Sequence, residues 1–259
     1  MNSADGDSNR IDVWCAFPQD ITDAALLQQY RDLLTAGERQ QESRFHFSRD
    51  RQRYLVTRAL VRTVLSRYAP LSPAQWVFGA NAQGRPHIAN AGMQHAISFN
   101  LSHAGNLIVL GVTRDGALGL DVENVSVRKI ELDLADRFFA PAEAADLRAQ
   151  DAADQQQRFF EYWTLKESYI KARGLGLSIP LDQFCFRFPD RHSIELTVHP
   201  NQHDRAERWH FSQGHIGADY LLAVCSERVN REAPRLVFKQ IVPLQSESDL
   251  DFQPLRISK

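Results

Sequence analysis

The chain has 259 residues, of which 43% are hydrophobic and 24% charged, a composition typical of a soluble globular protein. Its formal net charge of −2 favours neither nucleic acid nor an anionic membrane as a partner, so we expect neither. No stretch approaches the ~18 consecutive apolar residues of a membrane span, and the polar start MNSADGDSNR lacks the apolar segment of a signal peptide.

The first part of the chain is predicted to contain a strand, helices and a hairpin, after a disordered start at residues 1–10. Thr22 is the predicted N-cap of the first helix. Gly84 permits positive φ in a turn, and Ser-His-Ala-Gly is the predicted turn of the hairpin. The elements are predicted at 11–17 (strand), 23–34 and 48–68 (helices), 76–79 (strand), 81–88 (turn) and 97–113 (hairpin).

The second part is predicted to be a strand, three helices and a run of antiparallel strands. One more apolar strand is predicted at 236–243, and the polar tail SESDLDFQPLRISK is predicted to be loose. The remaining elements are predicted at 117–122 (strand), 131–139, 141–150 and 159–177 (helices), and 184–188, 193–198, 209–211 and 220–225 (an antiparallel meander).

The three cysteines are far apart in the sequence, and each lies among apolar residues. Such spacing is that of neither a disulfide framework nor a Cys-x-x-Cys metal site, so buried free thiols are the favoured interpretation. Their usage and the polar start predict a cytoplasmic protein. The cysteines are Cys15, Cys185 and Cys225.

Five residues of the predicted hairpin recur at the same spacing later in the chain, either by chance or as an internal repeat. A true repeat predicts two similar α+β halves, at 11–115 and 116–229, followed by an extension at 230–259. A ligand site is then expected in the cleft between the halves. The matching residues are Phe99, His103, Gly105, Leu110 and Val112, then Phe211, His215, Gly217, Leu222 and Val224.

The helix predicted at 159–177 has two distinct faces at 100° per residue. One is an apolar core stripe, and the other carries Glu167 and Lys171 four residues apart, beside Trp163 and Ile170. A solvated ion pair is the ordinary explanation of such a pair. The neighbouring aromatic side chain indicates instead that this second face is partly covered.

Two further carboxylates, Asp121 and Glu123, leave a strand end at i and i+2 and therefore point to the same face. A lone Asp-x-Glu is common on protein surfaces. Together with Glu167, however, these side chains offer the oxygen ligands that Mg²⁺ prefers. Lys171, Arg53, Arg85 and His103 are candidate phosphate-binding groups, so the residues indicate a Mg²⁺-dependent enzyme that acts on a phosphate compound.

With these residues in view, the sequence resembles the 4′-phosphopantetheinyl transferases. The resemblance rests on Gly-Leu-Asp-Val-Glu at 119–123, followed by WTLKESYIKA at 163–172, and it covers residues 11–227. Further matching stretches are SRFHFSRDRQRYLVTRALVRTVL, Gly-Arg-Pro, FNLSHAG and GLGLSIPL. Length and internal repeat resemble the Sfp type, whose two halves form a pseudo-dimer, more than the carrier-protein synthases of half this length.

The resemblance implies an α+β fold of two similar halves, related by a pseudo-twofold axis, each with a long helix packed on a small antiparallel sheet. It implies a monomer that binds coenzyme A in the cleft between the halves. The implied reaction is Mg²⁺-dependent, with Mn²⁺ as a possible substitute. It moves the 4′-phosphopantetheine arm to a serine of an apo acyl, peptidyl or aryl carrier protein and releases adenosine 3′,5′-bisphosphate.

The resemblance also implies a role for each matching residue. Asp121, Glu123 and Glu167 match the metal ligands, and Lys171 matches the lysine at the pyrophosphate that acts on the leaving group. The catalytic base is either Glu167 or a metal-bound water that it orients. The remaining positions match coenzyme A contacts: Arg53 and His103 at the 3′-phosphate, Gly84, Arg85 and Pro86 along the adenine, and Ser102 and Lys166 as secondary candidates in the same motifs.

One stretch departs from the family pattern. Lysines that help hold the 3′-phosphate are expected before Arg44-Phe45, but Glu38 and Gln41 stand there. The 3′-phosphate is therefore expected either to be held more weakly or to be held by Arg44 or Arg49 instead. Two other functions remain open from the residues: a Mg²⁺-dependent hydrolase of coenzyme A or another nucleotide diphosphate, and a non-catalytic protein that binds coenzyme A or carrier domains.

Overall fold

The computed structural model describes residues 9–93, 97–114, 116–126, 133–176, 179–229 and 232–259. Residues 1–8 of the disorder predicted at 1–10, part of the helix predicted at 131–139, and the boundaries near 115 and 230 lie outside these residues. Arg10, within the predicted disorder, begins a strand instead. None of the described helices is both long and apolar enough to cross a membrane. The helices are α1 (Ala24–Asp32), α2 (Ala36–Arg44), α3 (Ser48–Leu65), α4 (Leu134–Phe138), α5 (Pro141–Ala149) and α6 (Gln155–Arg173).

The first sheet has the strand order β12-β11-β1-β5-β4, and only the pair β1–β11 is parallel. Its strands are β1 (Arg10–Ala16), β4 (Ser98–Ala104), β5 (Leu107–Thr113), β11 (Arg235–Val242) and β12 (Ser246–Asp249). Helix α3 covers this sheet through a shared apolar core, which includes Leu55, Leu60, Val64, Ile108 and Leu110. A small separate ribbon is formed by β2 (Phe78–Ala80) and β3 (Pro86–Ile88).

The second sheet has the strand order β6-β10-β9-β13-β8-β7, and only the pair β8–β13 is parallel. Its strands are β6 (Leu118–Asn124), β7 (Phe184–Arg187), β8 (Ser193–Val198), β9 (Trp209–Ile216), β10 (Tyr220–Glu227) and β13 (Gln253–Ser258). Helix α6 packs on it through a core that includes Leu165, Tyr169, Phe184, Phe211 and Leu221.

A third apolar cluster joins the two sheets. It combines buried residues of β1 and β5 with buried residues of β6 and β10, among them Val13, Val109, Leu120, Val122 and Leu222. The edge strands β4 and β6 also contact each other directly, because the side-chain oxygen of Asn100 accepts a hydrogen bond from the backbone N–H of Leu120 at 2.8 Å. The first sheet therefore reaches the strand that carries Asp121 and Glu123.

The α+β class is confirmed, but the polar tail is not loose. It forms β12 and β13, and Phe252 between them stacks on Phe238 with ring centroids 4.1 Å apart. Because β13 inserts between β9 and β8, the predicted meander is also wrong: β8 and β9 are not neighbours. Tertiary partners far away in sequence order this segment, and its own polar composition gives no sign of them.

Three local predictions also need correction. Helix α2 was not predicted, since its sequence AGERQQESR has no apolar stripe, although Thr35 and Glu38 form a capping box at its start. The N-cap of α1 is Asp23, not Thr22, because the Asp23 carboxylate accepts the N–H of Ala25 at 2.8 Å. The hairpin turns at Gly105, whose φ is 52°, so that Ser102 and His103 lie within β4.

Acid should destabilise the second sheet through His210, which lies in β9 and is 2% exposed. Burial and then the charge of Arg228 lower its pKa to about 4, against ~6.5 in an unfolded chain. The unfolded chain therefore binds a proton that the native protein does not, and stability falls as the pH drops from ~6.5 to 4, by about 3 kcal/mol in all. We expect His210→Gln to flatten this slope in urea unfolding measured from pH 7.5 to 4.5. If the dependence of stability on pH is the same in His210→Gln as in the wild-type protein, this prediction is contradicted. His199→Gln is the control, because His199 is exposed.

Candidate active site

The site is built where β6 and α6 touch backbone to backbone. Gly119 of β6 makes this approach possible, because a Cβ at that position would lie 2.0 Å from the carbonyl oxygen of Ser168 and 2.3 Å from the backbone N of Ala172. No side chain fits at such distances. The glycine thereby brings the end of β6, with its carboxylates, beside the α6 face that carries Glu167 and Lys171.

A partly buried ion pair lies at the centre of this junction. The ammonium of Lys171 contacts Oδ1 of Asp121 at 2.7 Å and donates a second hydrogen bond to Oγ of Ser102 at 3.0 Å. Ser102 in turn donates to the same Asp121 oxygen at 3.1 Å and accepts the N–H of Val122 at 3.2 Å. Strand β4, strand β6 and helix α6 thus each contribute one member of a single hydrogen-bonded group.

Glu167 lies in the field of two other carboxylates. Burial raises its pKa to about 7, together with the negative charges of Asp121 and Glu123 and against the opposing charge of Lys171. Three carboxylates near one ammonium leave an excess of negative charge, which suits a divalent cation. The described residues nevertheless contain no group of three His, Cys, Asp or Glu side chains spaced to hold a metal. The chemistry of the donors therefore fits Mg²⁺, and their convergence on it stays a prediction.

The first part of the chain supplies the facing wall of a cleft. A cavity of 240 Å³ lies between the loop at Gln83–Pro86 and the α6 residues Glu167 and Lys171. A second cavity of 590 Å³ adjoins it, since both are lined by Gly84, Pro86 and Leu101. The predicted loop residues and Leu101 thus lie around one continuous cleft, which could take an extended ligand.

The predicted phosphate-binding residues Arg53 and His103 both line the larger cavity. Although His103 is partly exposed, its pKa is lowered by partial burial and then by the charges of Arg53 and Lys171. Arg53 is itself paired with Asp50 at 3.0 Å. His103 therefore lies in the field of two cations, Arg53 and Lys171, and the carboxylate of Asp50 offsets part of that field.

The stretch that departs from the family pattern lies in α2, and its Glu38 pairs with arginines of α3. Glu38 pairs with Arg62 at 2.7 Å and with Arg58 at 3.6 Å, which directs its carboxylate toward α3. Of the two expected substitutes, Arg49 shares with Arg53 the lining of a further cavity of 480 Å³. Arg44 is exposed on α2 and is not among the residues that line these cavities.

Sequence reasoning missed several side chains of the larger cavity. Tyr54, Thr57 and Arg58 follow Arg53 on α3, and Phe78 faces them from β2. The helical spacing of Asp50, Arg53 and Thr57 is the signal that could have assigned them to one face. Phe78 had no such signal, because the ribbon that places it is fixed by tertiary contacts.

Two residues that were predicted to contact coenzyme A bind other groups of the protein instead. Arg85 lines the smaller cavity, but its guanidinium donates to backbone carbonyls of α6 and β6. Lys166 is fully buried on the other side of α6, where its ammonium pairs with Glu143 at 2.7 Å and donates to the carbonyl of Leu181 at 2.7 Å. Lys166 is thus away from the group that Asp121, Ser102 and Lys171 form.

Loss of Lys166 is expected to destabilise the protein without weakening ligand binding. Burial lowers the pKa of Lys166 and raises that of Glu143, so that each depends on the other to stay charged. Removing one partner of such a pair costs roughly 3–5 kcal/mol. We expect Lys166→Met to lower the melting temperature, and the double variant with Glu143→Gln to recover part of the loss. If Lys166→Met is stable but binds coenzyme A more weakly, the result would instead support the predicted contact between Lys166 and coenzyme A.

Known proteins resemble the chain over both of its parts. The pattern described as "4'-phosphopantetheinyl transferase superfamily" matches residues 117–225, and "4'-phosphopantetheinyl transferase, N-terminal" matches residues 22–114. A 4′-phosphopantetheinyl transferase of Bacillus subtilis is 35% identical over 74% of this chain and 82% of its own length.

Two further relatives carry the same name. The 4′-phosphopantetheinyl transferase Sfp of Bacillus subtilis strain 168 is 30% identical, over 77% of this chain and 84% of that protein. The 4′-phosphopantetheinyl transferase HetI of a Nostoc species is 32% identical, over 66% and 71% respectively. The similarity thus extends over most of each relative and includes both parts of the chain.

Proposed function

The chain belongs to the 4′-phosphopantetheinyl transferase superfamily, with relatives of the Sfp type, and we propose that it transfers the 4′-phosphopantetheine arm of coenzyme A to a serine of an apo carrier protein. The second product is adenosine 3′,5′-bisphosphate. The observation that carries this proposal is the junction of β6 and α6, where Glu167 and Lys171 line the cleft and Lys171 binds Asp121. That junction lies within the residues that the superfamily pattern matches.

The reaction needs one base and one group that stabilises the leaving phosphate. The serine oxygen bonds to the phosphorus that bears the pantetheine arm, the bond from that phosphorus to the bisphosphate oxygen breaks, and the serine loses its proton. Glu167, or a water that it orients, is proposed to take this proton, because Glu167 lines the cleft beside Lys171. Lys171 provides positive charge for the oxygen that leaves.

Mg²⁺, or Mn²⁺ in its place, is proposed as the cofactor. Asp121, Glu123 and Glu167 would hold it, and it would neutralise charge on the pyrophosphate of coenzyme A. The effect of Asp121 and Glu123 on the pKa of Glu167 supports this assignment, since it reports like charges close together. Ser102 then positions two of the groups, because it donates to Asp121 and accepts from Lys171.

Coenzyme A is proposed to lie along the cleft. Gly84 and Pro86 would flank the adenine, while His103 and Arg53 would meet the 3′-phosphate, with Arg49 in support. The lining of the cavities supports this placement, because the loop and the basic groups contribute to adjoining parts of the same cleft. Phosphate recognition by such cationic side chains is ordinary chemistry.

We also propose that the protein acts as a cytoplasmic monomer on acyl, peptidyl or aryl carrier domains. Residues of the first sheet and of both long helices of one chain line the cleft, so a second copy is not needed to complete it. All three cysteines are free, and Cys15 and Cys225 are buried as predicted, while Cys185 is half-buried. Free thiols accord with a reducing compartment.

Mass spectrometry of apo carrier domains tests the proposed function. Purified full-length protein is incubated with coenzyme A, Mg²⁺ and a panel of acyl, peptidyl and aryl carrier domains. We expect a gain of one phosphopantetheine on at least one carrier, and no gain on its serine-to-alanine variant. Release of phosphopantetheine without any carrier would support the hydrolase instead, and coenzyme A binding without either product would support a non-catalytic binding protein.

A further inference from the structure

The guanidinium of Arg85 joins three backbone carbonyls of two different elements. One nitrogen, Nη1, donates to the carbonyl of Lys171 at 2.6 Å and to that of Ala172 at 3.2 Å, both in the last turn of α6. The other, Nη2, donates to the carbonyl of Leu118 at 3.0 Å, at the start of β6. One side chain from the first part of the chain thus binds both elements that carry the proposed catalytic groups.

The loop that presents Arg85 is shaped for this contact by Asn81. The Asn81 side-chain oxygen accepts the N–H of Arg85 at 2.8 Å, and its Nδ2 donates to the carbonyl of Gly174 at 2.9 Å. Gly174 ends α6 with a φ of 68°, and a Cβ there would lie 3.0 Å from the Arg85 guanidinium. Loop and helix end therefore fit against each other at two adjacent points.

Carbonyls in the last turn of a helix have no partner within the helix, and a cation is favoured at that end. Arg85 places a cation at this end of α6 and donates to the carbonyl of Lys171, which also accepts the N–H of Gly174 at 3.2 Å. These contacts fix the backbone of the residue whose ammonium binds Asp121. Burial lowers the pKa of Arg85, as expected for a guanidinium enclosed between two elements. Its planar fork suits simultaneous binding of separate carbonyls, which an ammonium does less well.

We propose that Arg85 is a positioning residue: it fixes the last turn of α6 against the start of β6, and thereby holds Lys171 in register with Asp121 and with the wall of the cleft. This inference rests on the proposed function for its kinetic consequences only. It reassigns the Arg85 side chain from ligand contact to support of the site, while the backbone of its loop still lines the cleft.

Kinetics with two forms of the donor test this role in the full-length protein. Arg85→Met is expected to lower kcat by roughly 10–100-fold, the effect of a small displacement of a catalytic group, with little change in coenzyme A affinity. The loss is expected to be equal with coenzyme A and 3′-dephospho-coenzyme A, and to be partly recovered in Arg85→Lys. A loss that appears as weaker coenzyme A binding, and disappears with 3′-dephospho-coenzyme A, would overturn the proposal and make Arg85 a phosphate ligand.

Hydrogen exchange supplies a readout that does not need turnover. In Arg85→Met the backbone amides at the end of α6 are expected to exchange faster, while the exchange of α3 is unchanged. Arg39→Met is the matched control. Arg39 also donates to a backbone carbonyl near a helix end, that of Leu34 at 2.6 Å, but it does not line the cleft. If exchange at the end of α6 is unchanged in Arg85→Met, the positioning role is contradicted, whether or not the wild-type protein transfers phosphopantetheine. If exchange is faster in Arg85→Met but the wild-type protein shows no transfer, only the proposed function is contradicted.

Discussion

Asp121→Asn is expected to lower transfer to the carrier protein by at least about 10²-fold while the protein stays folded, a loss typical of removing one charged group that acts on a transition state. One oxygen of Asp121 binds both Lys171 and Ser102, and the carboxylate also acts on Glu167. The amide keeps the shape but removes the charge on which all three depend. Initial rates at saturating coenzyme A, with circular dichroism to check folding, measure the effect.

The surface pair Lys239–Asp249 provides a matched control for this variant. Its ammonium and carboxylate are 2.6 Å apart, almost as in the site, but Asp249 is 89% exposed. An exposed pair contributes little, so Asp249→Asn should leave transfer unchanged. Titration of Mn²⁺ gives a reading without turnover: the wild-type protein should bind it, and Asp121→Asn should bind it more weakly. Near-normal transfer or unaltered Mn²⁺ binding by folded Asp121→Asn would refute the proposed metal assignment.

Local sequence patterns were sufficient for the elements that carry their own periodicity. Helices α3 and α6 were predicted because apolar residues recur at helical spacing, although α6 spans Gln155–Arg173 rather than 159–177. Strands β5 and β6 were predicted because each is a continuous apolar run. Strand β13 could not be predicted in this way, since it is stabilised between two strands, and Arg256 within it pairs with Glu161 of α6 at 3.1 Å. Contacts between residues so far apart in the chain are invisible to a local pattern.

The residues of the candidate site can likewise be divided into those that a local sequence pattern predicts and those that it does not. Asp121, Ser102 and Lys171 are brought together as the motifs indicated. Lys166 is the instructive exception, because it lies three and four residues from Tyr169 and Tyr162 and therefore on the apolar stripe, a position the helical spacing already indicated. Its partner Glu143, on α5, and the carbonyls that bind Arg85 could not be inferred, because neither leaves a pattern in the sequence.

Lys171→Met is expected to reduce kcat by about 10²–10³-fold, with a much smaller effect on the dissociation constant of coenzyme A. The Lys171 side chain is 27% exposed and lines the cleft, and its ammonium contacts Asp121 at 2.7 Å, so it can reach a ligand phosphate without leaving its carboxylate environment. Its charge matters most when the leaving phosphate gains negative charge, which is why turnover should suffer more than binding. Single-turnover rates and calorimetric titration with coenzyme A separate the two effects.

Lys239→Met is the appropriate comparison, because Lys239 is 28% exposed and pairs with a carboxylate at 2.6 Å, yet lies on β11 away from the cleft. If general electrostatics of the chain were responsible, both lysine variants would lose activity alike. If Lys171 served only to hold coenzyme A, its loss would raise the dissociation constant and leave the single-turnover rate at saturation intact. A selective loss of the chemical rate in Lys171→Met alone would place the ammonium at the leaving group, since only a group that acts there responds to charge formed during the reaction.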